Sequence, residues 1–482
     1  MYEFKTKPYK HQEDTFNVSR SAEYYALLME MGTGKTKVAI DTMCDLFERG
    51  EIDTALILAP KGVFDNWVKN EIPIHTPDRI DYKMVRWQPN ITKKFQEEIE
   101  ALAYRDKDDK SLHILVMNIE ALSTPKGAGT AEKFLKINPE SIAIVDESTT
   151  IKNPKAQRTK SVIKAGQNAK YRRILTGSPI TKSPMDLYSQ CHFLHSNALG
   201  FSSFYAFQNR YAIIQKRNMG HRSFQEVTGY RRLDELGEKL NRFATRITKD
   251  ECLDLPEKIY MKRNVPLTKE QTTAYVQMQK LALARLESGE LATTQSVLTQ
   301  IMRLQQICCG HLQPDNGPIV EIKNNRLSEL MDILDEVSGK VIIWATWTYD
   351  IHQIEAAIKK KFGPRSVASY YGGTEQDRRQ EIVNEFQDEK SDLRFFIGQP
   401  KTGGYGITLT AATTMVYYSN SYDLEIRLQS EDRAHRIGQK ANVTYIDLVS
   451  PDTIDEKILA ALRDKIDIAG QVLGEGAKAW LL

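Results

Sequence analysis

Cysteine is scarce in this chain of 482 residues, and its spacing suits neither metal nor disulfide chemistry. The five are Cys44, Cys191, Cys252, Cys308 and Cys309. None forms a Cys-x-x-Cys pair, and the nearest neighbours, Cys308 and Cys309, are adjacent, which argues against a structural zinc site or a secreted disulfide framework. Long hydrophobic runs are also missing. The strongest, Thr54 to Pro60 and Val341 to Trp347, are too short to span a bilayer. The start, Met1-Tyr-Glu-Phe-Lys-Thr-Lys7, is polar and lacks the apolar stretch of a signal peptide. These absences lead us to expect a soluble cytoplasmic protein in a reducing compartment. Charge of one sign is lacking too: 66 Lys and Arg stand against 63 Asp and Glu, a formal net charge of +3. A near-neutral total neither announces nor excludes a polyanionic partner, because local patches decide binding. What is present is an ordinary folded composition, 41% hydrophobic and 27% charged, which argues against disorder. At about 150 residues per domain, the length implies about three domains, or two with insertions.

Short apolar runs alternate with helical patterns in the first part of the chain. Tyr24 to Glu30, Thr54 to Ala59, Leu112 to Met117, Ile142 to Val145 and Arg172 to Thr176 read as buried strands. Lys35 to Glu48 and Gln157 to Gly166 read as helices. Such alternation predicts a parallel sheet with helices on both faces. From Pro184 to Asp254 the strand signal fades and aromatic residues mix with charges at helical spacing, so residues 184–254 are expected to be a helical insertion. The strand pattern returns at Ile259 to Pro266, then at Val341 to Ala345, Ser366 to Tyr370, Arg394 to Gly398, Met415 to Ser419 and Val443 to Leu448. Helices are expected at Tyr349 to Lys361, Glu375 to Gln387, Leu424 to His435 and Thr453 to about Ile468. The expected organisation is an α/β protein with a first lobe over 1–183 and the insertion 184–254. A second lobe follows over 255–470, with its own helical insertion at about 268–325, and a tail over 471–482 ends the chain.

Met31-Gly32-Thr33-Gly34-Lys35-Thr36 follows an expected strand and opens an expected helix, as a phosphate loop does. Backbone N–H groups at a helix N-terminus favour anions, and glycines let the backbone approach phosphates. Lys35 is the candidate for the β/γ-phosphates and Thr36 for Mg²⁺. Met29 occupies the first glycine position of the usual pattern, and a plain glycine-rich turn is the competing reading. Ile142-Ala-Ile-Val-Asp-Glu147 runs an apolar strand into two carboxylates at its C-terminal end, where α/β sheets place their ligands. Asp146 is the candidate metal ligand, and Glu147 the group that polarises a water attacking a γ-phosphate. A third constellation comprises Gln429, Arg433, His435 and Arg436. Arg433 and Arg436 are three apart and share a face if the segment is helical. They read either as a pair of arginine fingers or as a solvated basic stripe neutralised by Glu431 and Asp432.

In this order, these pieces resemble helicase superfamily two, and within it the Swi/Snf-like DNA translocases. The resemblance runs from about Tyr9 to Ile468. Tyr9-Lys-His-Gln12 is similar to the family's opening element, which implies adenine recognition by Gln12. Leu58-Ala-Pro60-Lys61 with Asn66-Trp67 resembles the loop that faces DNA after the second strand. Asp146 to Asn153 resembles the family's acidic box, with Lys152 in its trailing Ile-Lys-Asn. Leu175-Thr-Gly-Ser-Pro179 is similar to the element coupling nucleotide state to DNA. Tyr371-Gly372-Gly-Thr374 and Gln399-Pro-Lys401-Thr402-Gly-Gly404-Tyr-Gly-Ile-Thr-Leu-Thr410 resemble second-lobe elements. They imply DNA contacts at Gly372, Lys401 and Thr402 and phosphate approach at Gly404. Arg433-Ala-His-Arg-Ile-Gly-Gln439 is the most family-specific run. It places Gln429 with the nucleotide, the two arginines at the γ-phosphate and His435 as a packed residue. Ser148 and Thr149 depart from the family's acidic box, and Thr248-Lys249 stands where paired arginines are common.

The resemblance implies two RecA-like lobes with helical insertions, ATP and Mg²⁺ as cofactors, and double-stranded DNA as partner. The compactness of the chain suggests a minimal motor, and with it a prokaryotic or viral source more than a chromatin remodeller; a eukaryotic one would be nuclear. Between Pro184 and Cys309 no Asn-Gly or Asp-Gly turn joins two alternating strands, so no strand-splitting hairpin is expected. A helicase unwinding DNA or RNA remains an alternative, as does a nucleotide-gated DNA-binding subunit with little turnover.

Overall fold

The computed structural model of the chain describes residues 2–473 apart from 62, 91, 107, 220–221, 253–254, 288–293, 315–316, 404–406 and 437. Two units emerge from its internal packing. One comprises residues 1–254 with the end of the last helix from Lys465, the other residues 255–464.

In chain order the first unit carries β1 (Tyr24–Met29), β2 (Thr54–Ala59), β3 (Tyr82–Arg86), β4 (Leu112–Asn118), β5 (Ser141–Asp146), β6 (Tyr171–Leu175), β7 (Ala212–Met219), β8 (Arg222–Tyr230) and β9 (Ala244–Ile247). Seven of these form a parallel sheet in the order β3-β4-β2-β5-β6-β1-β9. The central strands are apolar throughout because both faces are covered. Leu56 and Leu58 of β2 enter the core on one face, and Ala55 and Ile57 the core on the other. This is the two-residue period of a pleated strand buried twice.

The second unit follows the same logic. It contains β10 (Lys258–Asn264), β11 (His311–Leu312), β12 (Val320–Glu321), β13 (Lys340–Trp344), β14 (Val367–Tyr370), β15 (Phe395–Gly398), β16 (Ala412–Tyr417) and β17 (Val443–Val449). Its parallel sheet runs β10-β17-β16-β13-β15-β14. Val341 and Ile343 pack on one face, Ile342 and Trp344 on the other. The two parallel sheets with covering helices agree with the expected α/β class.

Four expectations need correction. Residues 184–254 contain helices Leu187–Leu194, Phe204–Tyr211 and Leu233–Leu240, but also the antiparallel pair β7–β8. That pair is a hairpin where none was expected. Its sequence shows no apolar alternation, and its described residues beyond the root are exposed or half-buried, so the usual strand signal is absent. Second, β9 lies in the same stretch and pairs with β1, so the supposed insertion supplies the last strand of the first sheet. Third, residues 268–325 hold two helices, Lys269–Glu287 and Thr294–Cys309, but close with the short antiparallel pair β11–β12. Fourth, the helix expected over 424–435 ends at Glu431. The Arg433 carbonyl accepts from Leu409 N–H at 2.9 Å, which draws the chain out of the helical path. The last helix runs Ile454–Leu473, and the rest of the expected tail, 474–482, lies outside the described residues. No helix among the described residues is long and apolar enough to cross a membrane.

Candidate functional site: a glycine loop beside an acidic strand end

β1 ends beside the glycine loop, which turns into the helix Lys35–Glu48. Gly34 holds the turn with φ at +89°, and a Cβ there would lie 2.1 Å from Gln12 Nε2. Only glycine meets both demands. Gln12 is buried behind the loop: its Nε2 donates to Thr33 O at 3.0 Å and its Oε1 accepts from Tyr9 N–H at 3.0 Å. His11 Nε2 lies 2.8 Å from the same Thr33 carbonyl. The opening element thus clamps the loop from below. Thr33 is buried, and Met31, Gly32 and Thr36 are half-buried.

β5 delivers Asp146 and Glu147 to the same place. Lys35 Nζ stands 3.6 Å from Glu147 Oε1, and both side chains are about nine-tenths buried. Glu147 has a left-handed backbone, φ +45°, one of three such non-glycine residues among those described. A carboxylate residue in that conformation carries backbone strain that the surroundings must hold in place. Asp146 Oδ1 accepts from Glu147 N–H at 2.9 Å, and Oδ2 accepts from Trp67 Nε1 at 2.8 Å. Burial pushes the Asp146 carboxyl above the usual carboxylate range, while the Lys35 ammonium and the Trp67 N–H pull it back. A cation at this point relieves that cost. Among the described residues no three His, Cys, Asp or Glu gather around a metal position. A single buried carboxylate such as Asp146 is the kind of donor that Mg²⁺ takes alongside substrate phosphates.

Trp67 is therefore a correction. The resemblance placed it on a DNA-facing loop, yet it is fully buried and steadies Asp146. Pro60, another expected DNA contact, is buried, with its carbonyl accepting from Val63 and Phe64 N–H. Lys61 beside it is exposed.

Residues behind the loop were not singled out by sequence. Arg246 on β9 donates to the carbonyls of Leu28 and Gly177 at 3.1 and 2.8 Å and pairs with Glu30 at 3.3 Å. It joins the end of β1 to the Leu175–Pro179 element. Gly177 approaches so closely that a Cβ would sit 3.1 Å from Met31 N. Ser148, an apparent departure from the family's acidic box, donates to Gln190 Oε1 at 2.7 Å. Gln190 Nε2 donates in turn to the carbonyls of Pro179 and Asp186, both at 2.8 Å. The Asp186 carboxylate accepts from Thr181 and Lys182 N–H, and Lys152 Nζ donates to Thr181 Oγ1 at 2.8 Å. A buried polar chain thus leads from the acidic pair to Lys152.

In the second unit, a buried ion network fixes the helix Leu424–Glu431. Arg427 pairs with Asp447 on β17 and with Glu431, and Tyr260 on β10 donates to Glu431. Arg433 follows this helix and is 1% exposed. Its Nε donates to Gln429 O at 2.8 Å and its Nη1 to Ile407 O at 3.1 Å. Arg433 and Arg436 do not share a helix face, because the helix has already ended. Arg436 is half-buried. Gln429 is buried, with Nε2 donating to Glu425 at 3.4 Å and Oε1 without a partner. His435 is buried, with Nε2 2.7 Å from Pro256 O, which matches its expected packing role. Lys401 and Gly372 are exposed, and Thr402 Oγ1 donates to Gln399 Oε1 at 3.2 Å. Gly404 lies outside the described residues.

The class is thus an α/β protein of two parallel-sheet units, the first opening the helix after β1 on a phosphate-type glycine loop. Residues 14–313 match the SNF2-related domain and residues 323–438 the helicase conserved C-terminal domain. The chain belongs to the SNF2-related family of helicases. It is 26% identical over 466 residues to the probable ATP-dependent DNA helicase CHR12 of Arabidopsis thaliana, covering 93% of this chain and 40% of that protein. It is 26% identical over 455 residues to the putative ATP-dependent helicase/translocase YwqA of Bacillus subtilis, covering 92% of this chain and 46% of that one. The chain therefore spans less than half the length of either relative. A solved Sulfolobus solfataricus SWI2/SNF2 ATPase core in complex with dsDNA matches at 24% identity and a TM-score of 0.43, covering 98% of this chain and 95% of that one.

Proposed function

We propose that the chain is an ATP-driven motor that tracks along duplex DNA without separating its strands. The observation that carries this is the Lys35–Glu147 pair, 3.6 Å apart at a glycine loop in a chain of the SNF2-related family. Lys35 neutralises the β/γ-phosphates, and the loop N–H groups receive phosphate oxygens. Thr36 and Asp146 would hold Mg²⁺, which supplies further charge neutralisation when bound. Glu147 orients and polarises the attacking water, with Lys35 moving from the carboxylate to the phosphates as ATP binds. An adenine contact by Gln12 requires exchange of its bond to Thr33. The family resemblance gives Gln429 a nucleotide contact and Arg436 a role on the γ-phosphate during transfer. Arg433, already engaged with two carbonyls, shapes the segment that carries Arg436.

DNA is held mainly through its phosphates, by Lys61, Lys152, Gly372, Lys401 and Thr402, with little sequence preference. The β7–β8 hairpin lends one observation to strand separation as a second reading. Displacement assays decide between them. The motor reading expects ATP-dependent removal of a third strand or a bound protein from duplex, while a forked duplex stays paired. Robust ATP-dependent unwinding of the fork would contradict it.

A further inference from the structure

In the first sheet β9, β1 and β6 lie side by side, with β5 beyond β6. The glycine loop leaves β1, the Leu175–Pro179 turn leaves β6, and the acidic pair leaves β5. The β1–β6 ladder runs out at this end, with Leu27 opposite Leu175 as its last pair. Past that point the Arg246 guanidinium spans the two exits from β9, where Arg246 stands opposite Leu28. Its Nη1 donates to Gly177 O at 2.8 Å on one exit and to Leu28 O at 3.1 Å on the other, and its Nη2 pairs with Glu30 Oε1 at 3.3 Å. The side chain is 14% exposed. A planar fork of several N–H donors suits such a three-way link better than a single ammonium.

Glu30 is the footing of the loop. Its carbonyl accepts from Thr33 Oγ1 at 2.8 Å and from Thr33 N–H at 3.3 Å, so the loop folds back over it. Its Oε2 accepts from Lys249 N–H at 2.9 Å, and its own N–H donates to Ile247 O at 3.0 Å. Gly177 closes the other side. A Cβ there would lie 3.1 Å from Met31 N and 3.3 Å from Glu30 Cα, so an added methyl would push the loop entry away. Because β6 separates β1 from β5, fixing the β1 exit against the β6 exit also fixes Lys35 against Glu147.

We propose that Arg246 is a positioning residue for ATP hydrolysis: it locks the entry of the glycine loop to the turn after β6, and so keeps the bound phosphates in register with Glu147. This rests on the reading of Lys35 and Glu147 as the hydrolytic pair. The test compares the full chain with Arg246→Met, Arg246→Lys, Gly177→Ala and Arg173→Met. Arg173 on β6 is the control. It is buried like Arg246 and also donates to carbonyls, but to those of Ser19, Ala22 and Glu23, which precede β1 at the end away from the loop. ATPase is measured at saturating duplex DNA, kcat is taken per nucleotide-binding molecule counted with a labelled non-hydrolysable ATP analogue, and melting temperatures are recorded alongside. Arg246→Met should lower kcat by about 10- to 100-fold, the scale of a misplacement of about 1 Å, while analogue affinity stays within about threefold of the parent. Arg246→Lys, which can still donate to a carbonyl, should recover part of that loss. Gly177→Ala should lower kcat by about 3- to 10-fold with Arg246 intact. Arg173→Met should lower the melting temperature yet keep kcat within about threefold of the parent. A parent-like kcat in Arg246→Met, an equal loss of kcat in Arg173→Met, or a loss that falls on analogue affinity instead of kcat overturns this inference alone. Should Arg246→Met fail to fold, a parent-like kcat in Gly177→Ala overturns it. Hydrolysis at the parent rate by Lys35→Ala overturns it together with the reading of the hydrolytic pair.

Discussion

In the first unit, Lys35 and Glu147 face each other across 3.6 Å, Trp67 holds Asp146, and Gln12 clamps the loop. In the second, the guanidinium of Arg433 is turned inward to the carbonyls of Gln429 and Ile407. The first unit thus has the charged groups of its candidate nucleotide site arranged in advance. The second devotes one of its two candidate arginines to its own fold, in the very motif most specific to the family. Two arginines in one motif therefore need not share one role. Preorganised charge lowers a barrier without reorganisation at the moment of reaction, whereas a cation tied to carbonyls orders the backbone around it.

The largest effects are expected in the arranged site. Lys35→Ala should abolish ATP hydrolysis and weaken ATP binding, measured by phosphate release and by binding of a labelled nucleotide. Glu147→Gln should equally lose turnover but retain ATP, because shape survives and the water-orienting carboxylate does not. Near-normal hydrolysis by Glu147→Gln would remove that residue from the proposed chemistry.

The arginines should separate next. Arg436→Ala should cost on the order of a thousandfold in kcat, as the loss of a group acting on the transition state does. Arg433→Ala should lower kcat and also lower the melting temperature, because two buried carbonyls lose their donor at about 1–3 kcal/mol each. Arg433→Lys should not restore either property, since one ammonium cannot replace the planar fork. A parent-like melting temperature in Arg433→Ala would break the contrast between the units.

Smaller effects test the supports of the site. Trp67→Phe keeps the packing but removes the donor to Asp146, and the Mg²⁺ concentration for half-maximal ATPase should rise about tenfold. Ser148→Ala breaks the link to Gln190, 2.7 Å away. It should leave DNA-free hydrolysis near the parent rate and reduce stimulation by duplex by about 3- to 10-fold, within the usual range of coupling along such a network. Full stimulation in Ser148→Ala would confine that chain to a structural role.

Most of both sheets could be read from sequence because their central strands are buried on both faces and appear as continuous apolar runs. β2, β5 and β13 coincide with expectation to within a residue at each end. The edge strands β3 and β9 were missed. Tyr82–Arg86 and Ala244–Ile247 are only partly covered, so their polar residues break the run. The hairpin was missed for the same reason taken further. At the site, Lys35, Asp146 and Glu147 came together as their spacing along strand and helix suggested. Trp67, Arg246 and Gln190 were not legible, because each acts through a contact distant in sequence that no local pattern records. Arg433 and Arg436 were misread as sharing a helix face, because the bond from Leu409 N–H that ends the helix comes from another loop.

The central claim is that this nucleotide site serves a motor on duplex DNA. Steady-state ATP hydrolysis with duplex DNA, single-stranded DNA and RNA in parallel tests it most directly. The account predicts the highest rate with duplex, a lower rate with single strands and the least with RNA. Stimulation by RNA above duplex, or hydrolysis indifferent to any nucleic acid, would contradict it.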